Sequence, residues 1–209
     1  MLRARVQDSL GHVWLALQEP EEFALRWDRG DESYRLSVWL ALAATAILGT
    51  TTYGMTLGIS GANAGPAAIA AKGFLLTVAA GLAWAIPLPA LYILNSLAGS
   101  RLRPSTTLLA ALVTTSWGGL ALVASIPINW FFSVAVPPLA PQWISAGAVT
   151  QIIRFVQIVI FAGVGLSMVD VFRRVLGSLE PRFADDFPWF LFLVGLIGAQ
   201  LSYVFNLFV

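Results

Sequence analysis

The chain has 209 residues, of which 58% are apolar and 11% charged, with a formal net charge of +1 and no cysteine. A soluble domain usually carries about a quarter charged residues, so this composition favours a membrane protein. The lack of cysteine excludes disulfides, thiolate metal sites and iron–sulfur clusters, and the near-neutral charge gives no support for nucleic-acid binding.

Residues 1–35 form a polar N-terminal segment. Apolar residues recur in its first half at the three- and four-residue spacing of one helix face, which predicts an amphipathic helix over residues 2–18. The residues of this face are Leu2, Val6, Leu10, Val13, Trp14 and Leu17. The helix either lies in the plane of the membrane interface, with Arg3 and Arg5 near anionic headgroups, or folds as a cap onto the membrane helices.

Residues 36–209 are predicted to form an all-α integral membrane domain, a bundle of five transmembrane helices. A helix needs about 20 mostly apolar residues to cross the hydrocarbon core, and continuous apolar runs favour helices over barrel strands. Pro87, Pro89 and Pro127 predict kinks in the second and third spans. The five predicted spans are residues 36–59, 73–98, 105–133, 149–172 and 187–209.

The distribution of basic residues predicts the orientation of this bundle. Of the 12 Lys and Arg residues, all but Lys72 and Arg154 fall in the N-terminal segment or in the loops after the second and fourth spans. The positive-inside rule therefore places the N-terminus in the cytoplasm and, with five spans, the C-terminus outside.

Catalytic and metal-binding motifs are not recognisable in the sequence. His12 is the one histidine, and all acidic residues fall on the predicted cytoplasmic side or at its edge. Asp170 is the deepest acid, and Arg173 and Arg174 follow it at i+3 and i+4, which predicts an interfacial ion pair. We therefore predict no enzyme activity, no cofactor and no metal site.

Lys72 and Arg154 lie near the predicted outer ends of spans, where no acidic residue is predicted. Long basic side chains at span ends commonly extend to the headgroups. The alternative is a shared anion site for a lipid phosphate, an acid of a partner protein or the C-terminal carboxylate of Val209.

Polar and small residues within the spans indicate how the helices contact one another. Uncharged polar residues either bond across packed helices or line a substrate path; they are Asn95, Asn129, Gln200 and Asn206. Small residues at helical spacing let two helices approach closely. The candidate packing residues are Gly54, Gly58, Gly163, Gly195 and Gly198.

Several short segments of the spans carry a family resemblance; they are Tyr53–Gly58, Leu88–Asn95, Leu97–Leu102, Ile126–Phe132 and Trp189–Gly195, with Ala199 and Gln200. Together they are similar to bacterial multispan membrane proteins that resemble the Yip (Ypt-interacting protein) domain family, over roughly residues 15–209. The resemblance implies five membrane helices, a cytoplasmic N-terminus and no enzyme activity. Eukaryotic relatives act with small prenylated GTPases, a partner that we do not transfer because the N-terminal region is short.

The sequence thus predicts a non-enzymatic multi-pass protein, a scaffold or accessory subunit of a larger complex in the bacterial cytoplasmic (inner) membrane. Its partners would be membrane lipids and other membrane-protein subunits, or a second copy of the chain. The alternative is a permease or channel component, with a polar path built from Asn95, Asn129, Gln200 and Lys72. A dry bundle with an exposed apolar flank favours the subunit, whereas polar groups around a through-cavity favour the permease.

Overall fold

A computed structural model describes residues 11–29, 36–59, 65–97, 99, 102–139, 145–180 and 188–208. Within these ranges the chain forms helices and no strand, which confirms the predicted all-α class. Among the described helices, four are long and apolar enough to cross a membrane: Leu36–Ile59, Pro66–Ile93, Pro104–Ala124 and Ala146–Leu179. The fold is therefore compatible with a multi-pass integral membrane protein.

The helices follow one another with short breaks. The N-terminal pair consists of α1, residues 11–18, and α2, Pro20–Arg29. The elements that follow are α3 (Leu36–Ile59), α4 (Pro66–Ala85), α5 (Pro87–Leu97), α6 (Pro104–Ala124), α7 (Ile126–Trp130), a π-helical turn (Phe131–Ala135), α8 (Val136–Leu139), α9 (Ala146–Leu179) and α10 (Pro188–Val204).

Two helices differ from their predicted spans. α4 begins at Pro66 rather than at 73, because proline is well suited to the first helical position and Lys72 continues the helix instead of ending it. α9 extends beyond the predicted 149–172 at both ends. The hydropathy pattern predicts where the apolar stretch of a helix ends. The helix itself can continue past that point through charged residues.

Prolines interrupt the second and third spans, as predicted. Pro87 separates α4 from α5, and Pro127 lies in the first turn of α7, directly after α6. Proline lacks the N–H that would continue the hydrogen-bond ladder, so the regular helix is interrupted at each of these positions.

The fifth predicted span, 187–209, corresponds to α10, which has 17 residues. Such a helix is roughly 25 Å long. The hydrocarbon core of a bilayer is about 30 Å thick, so α10 alone is short for a perpendicular span. For this reason it is not among the four helices of membrane-spanning length.

α3 packs most extensively against α4 and α6. Glycines make these contacts close: a Cβ built at Gly54 would lie 2.8 Å from the Gly73 Cα, and one at Gly49 would lie 2.5 Å from the Gly119 carbonyl carbon. Because the atoms in the way belong to backbone, no side-chain rearrangement could accommodate a larger residue.

The N-terminal helices pack onto the end of the bundle where α3 begins. Val13 and Ala16 are buried there beside Phe23, together with residues of α3 and α6. Trp14, which the predicted amphipathic face includes, is instead 64% exposed, because the buried face of α1 is centred on Val13 and Ala16. The rest of the predicted face, Leu2, Val6 and Leu10, and the nearby Arg3 and Arg5, lie outside the described residues.

Candidate functional site

Lys72 lies at what we call the distal end, the end of the bundle where α3 finishes and α4 begins. Its ammonium group donates hydrogen bonds to the carbonyl oxygens of Asn206 and Leu207, the latter at 3.3 Å. Both carbonyls follow the last turn of α10, where helix carbonyls lack intrahelical donors and the helix dipole is negative. Lys72 therefore caps α10 from α4.

The chain after α10 has a geometry that exposes these carbonyls to Lys72. Asn206 has φ 46°, in the left-handed region that asparagine tolerates better than most residues. The Leu207 N–H donates to the Ser202 carbonyl at 3.0 Å and the Asn206 N–H to the Tyr203 carbonyl at 3.0 Å, which together form a Schellman motif. Leu207 is fully buried in the cluster around Tyr53. Asn206 thus ends the helix rather than bonding across a packed span.

Arg154 is the second cation of the distal end. It is half-buried in the third turn of α9. Its Nε atom is buried and has no hydrogen-bond partner in the described part of the chain. Every acid that the structure describes lies between α1 and α2, in α2, in the last part of α9 or directly after α9, at the opposite end of the bundle. Among the residues that the structure describes, the two predicted cations thus lie at one end of the bundle and the acidic side chains at the other.

Asn129 bonds across packed helices. It is fully buried, and its Nδ2 donates to the Thr56 hydroxyl at 2.8 Å. The Ser133 hydroxyl donates to its Oδ1 at 3.3 Å. Both ends of the amide therefore have partners, one on α3 and one in the π-helical turn that follows α7. π-Helical turns occur often at functional positions, but here the amide itself holds the turn against α3.

The other polar residues of the proposed path do not gather around Asn129. Gln200 is exposed on α10, and Asn206 and Lys72 form the cap described above. The side chain of Asn95 lies outside the described residues. The three lining positions whose side chains the structure describes, Asn129, Gln200 and Lys72, thus have separate surroundings.

Three buried or half-buried polar contacts join α3 to its neighbours, and sequence reasoning did not single them out. The Thr51 and Thr77 hydroxyls lie 2.8 Å apart and those of Thr50 and Thr77 3.1 Å apart, joining α3 to α4. The Ser116 hydroxyl donates to the Leu42 carbonyl at 2.7 Å, joining α6 to α3. Hydroxyls that also bond within their own helix leave no periodic signal that would identify these positions.

Gln157, which sequence reasoning also missed, is 1% exposed on α9. It follows Arg154 at i+3, so the two side chains share a helix face that points into the bundle. This spacing of two polar residues in an apolar helix is the signal that could have identified the pair.

The predicted packing glycines separate into two groups. Gly54 and Gly58 lie against the backbone of α4, where a Cβ at Gly58 would be 2.7 Å from the Ile69 Cα. Gly198 makes an ordinary contact with Ala83, whereas a Cβ at Gly163 or Gly195 would meet nothing within 4 Å. The latter two therefore pack on no described part of this chain.

α9 has a long apolar face with little of the chain against it. Only 6% of its most apolar 18-residue stretch is buried, compared with 56% for α6. Phe155 is 66% exposed and Leu166 71%. We call this surface the open face; it consists of Ile152, Phe155, Val159, Gly163 and Leu166.

Beyond the open face, the last part of α9 contacts α2 through an ion pair. Arg174 Nε lies 3.1 Å from an Asp170 carboxylate oxygen, and Arg174 Nη1 lies 2.6 Å from a Glu21 carboxylate oxygen. The sequence predicts the first contact by its i+4 spacing, whereas the second joins residues far apart in the chain. Arg173 is exposed beside them.

Comparisons with known proteins give no further guide: no protein-family model, no curated protein and no solved structure matches this chain. The resemblance to Yip-domain proteins stays a prediction. Inference about function therefore rests on the geometry of the distal end and of α9.

Proposed function

We propose that this chain is a non-enzymatic accessory subunit or scaffold of a membrane complex, and that the open face of α9 docks against a span of another membrane protein. The observation that carries the proposal is the combination of a long uncovered helix face with Gly163 at its edge. Ile152, Phe155 and Val159 continue the face toward the distal end of α9.

Exposed apolar side chains alone do not call for a protein partner, because lipid tails cover them equally well. Glycine is different. A glycine in a helix interior costs about 1 kcal/mol relative to alanine, and in membrane helices it usually permits a close backbone approach. Gly54 and Gly58 make such approaches within the bundle. Gly163 lacks a side chain in the same way but faces away from the bundle, which supports the packing of a helix from another subunit against it.

Cross-linking in native membranes tests this docking. Because the chain has no cysteine, single cysteines placed at Phe155, Val159 or Leu166 can carry a thiol-specific photo-cross-linker. Phe74→Cys on α4 is a matched control, since Phe74 and Phe155 are both 66% exposed. We expect one partner to be captured from α9 and none from position 74. Equal capture from both helices, or none from α9, would contradict the proposal.

Two glycine variants test whether the cross-link depends on Gly163. Gly163→Leu should abolish the cross-link, whereas Gly81→Leu should not, although neither glycine has an atom within 4 Å of a built Cβ. Co-expression of two differently tagged copies identifies the occupant. A cross-linked species carrying both tags would show that the chain pairs with itself and would replace the subunit proposal with a homo-oligomer.

The membrane topology belongs to the same proposal: five spans, including α10, with the N-terminus in the cytoplasm and the C-terminus outside, in a bacterial inner membrane. The distribution of the 12 basic residues supports it. Cysteines at positions 30 and 178 should resist an impermeant thiol reagent in intact cells, and a cysteine at 140 should react. The reverse pattern would invert the topology.

A permease or channel component is the alternative function. Its support is the group of buried polar side chains near the second half of α3, including Thr50, Thr56 and Asn129. Asn129 donates to Thr56 and Thr50 bonds to Thr77, and such bonds between packed helices favour packing over conduction. Reconstituted alone, the protein should move no common solute above the background of empty vesicles. Robust flux that Asn129→Leu abolishes would support the permease instead.

A further inference from the structure

α10 carries a polar side chain on the side that faces away from the bundle. Gln200 is exposed there, and its amide has no hydrogen bond to the described part of the chain. The opposite side of α10, which includes the buried Ser202, packs against α4 and α5. We call the exposed side the amide face; its residues follow one another at the i, i+3, i+4, i+7 spacing of one helix face and are Leu196, Ala199, Gln200 and Tyr203.

Gln200 lies at the depth of the apolar part of the bundle. Two residues before it, Gly198 contacts Ala83, which lies well inside the second helix of membrane-spanning length. Gln200 is also six residues, roughly 9 Å, short of Asn206, the first residue whose carbonyl Lys72 binds. Lysine and arginine side chains are long enough to extend from such a depth to the headgroups, but a glutamine side chain is not.

We propose that two copies of this chain pair through the amide faces of their α10 helices, with the two Gln200 amides hydrogen-bonded to each other. Both copies insert in the same orientation, so their α10 helices run parallel and equal positions lie at equal depth. Such a pair has a twofold axis along the membrane normal, and residues beside the axis meet their own counterparts. A glutamine amide holds both donors and an acceptor, so each Gln200 donates to the other and accepts from it.

The chemistry of the amide favours a second copy over lipid. Lipid tails cover apolar side chains as well as a protein does, but they offer an amide neither a donor nor an acceptor. A second copy presents the matching amide at the matching depth. Ala199 lies beside Gln200 on the amide face, and its small side chain lets the two helix axes approach. The pairing rests on the proposed placement of α10 in the membrane, but not on the docking at α9, which uses a different helix.

Disulfide cross-linking between two differently tagged copies tests the pairing in native membranes. Because the chain has no cysteine, Leu196→Cys or Tyr203→Cys gives each copy a single thiol on the amide face. Oxidation with copper phenanthroline should join the two tags at either position, since residues that face each other across the axis reach the Cα separation of a disulfide, about 5.5–6 Å. Phe74→Cys, on an exposed surface of α4, should give no such species.

Energy transfer between copies labelled at their N-termini, measured in liposomes at increasing lipid dilution, gives the strength of the pairing. Gln200→Leu should raise the dissociation constant about tenfold or more, the loss expected for hydrogen bonds between membrane helices. Gln200→Asn keeps an amide and should retain part of the pairing. Gln151→Leu is the matched control, because it makes the same replacement at an exposed glutamine near the start of α9 and should leave the pairing unchanged.

A further measurement separates lost pairing from misfolding. In a large excess of detergent micelles, where the copies are separated, Gln200→Leu should unfold like the unmodified protein, because the amide bonds to nothing in the described chain. The proposal is overturned if no species carrying both tags forms at position 196 or 203, or if Gln200→Leu and Gln151→Leu pair equally well. Capture of a different protein alone at these two positions overturns it as well.

The placement of α10 is tested with the same cysteine. Leu196→Cys should resist an impermeant thiol reagent in intact cells. Labelling there would show that α10 lies outside the membrane, and both the proposed five-span topology and the pairing would fall. A protected cysteine that forms no dimer would overturn the pairing alone.

Discussion

α3 and α9 are both apolar and long enough to cross a membrane, but they occupy opposite environments. α9 is the more hydrophobic, with a mean hydropathy of 2.1 in its most apolar stretch against 1.4 for α3. Yet 28% of that stretch is buried in α3 and 6% in α9. Hydrophobicity does not drive helices together in lipid, because the lipid is as apolar as the side chains.

What distinguishes the two helices is the position of small and polar residues. α3 has Gly49, Gly54 and Gly58 against neighbouring backbones. Its Thr51 hydroxyl bonds to α4, and its Leu42 carbonyl accepts a hydrogen bond from Ser116 of α6. α9 has Gly163 facing outward and its long apolar side chains exposed. Close backbone approach and hydrogen bonding therefore determine which helices pack on one another, and a glycine on an uncovered helix indicates where another subunit could pack.

The largest expected effect comes from exchanging glycine for leucine on the two helices. Gly54→Leu should lower the free energy of unfolding by about 3 kcal/mol or more, because its side chain would strike the backbone of α4. Gly163→Leu should change it by no more than about 0.5 kcal/mol, since nothing lies within 4 Å. Denaturant unfolding in mixed micelles measures both. Similar losses for the two variants would remove the distinction between α3 and α9.

A smaller effect is expected from the buried amide that packs on α3. Asn129→Leu should destabilise the protein by about 1–2 kcal/mol, because it removes the hydrogen bond to Thr56 and leaves the Ser133 hydroxyl without its acceptor. Gln200→Leu, at an exposed position of α10, is the control and should alter stability by less than about 0.5 kcal/mol. An equal effect at both positions would show that burial of Asn129 adds nothing.

The smallest expected effect concerns the ion pair that holds α2 to α9. Arg174 and Glu21 are partly exposed, with side chains 50% and 34% accessible, so solvent screens their attraction. A double-mutant cycle with Arg174→Gln and Glu21→Gln should give a coupling of about 0.2–1 kcal/mol that decreases as salt is added. A coupling well above this range, insensitive to salt, would mean that the pair is effectively buried.

The sequence determined the class of this protein and the end of the bundle at which Lys72 and Arg154 lie. Apolar length and the placement of charges can be counted along the chain, so the helical class and the bounds of α3 followed from them. The proline interruptions followed from the missing N–H of proline. The i+4 contact between Asp170 and Arg174 followed equally, because it lies within one helix.

The tertiary structure alone decided which faces are buried. The partners of Lys72 lie 134 and 135 residues away, at the end of α10, and no local pattern indicates that contact. Gly54 and Gly163 have the same spacing signal, but one meets a backbone and the other does not. The same is true of Val13 and Trp14, neighbours of which one is buried and the other exposed. Where the solvent is as apolar as the side chains, the steric fit between helices selects the buried face, and that fit exists only in the assembled bundle.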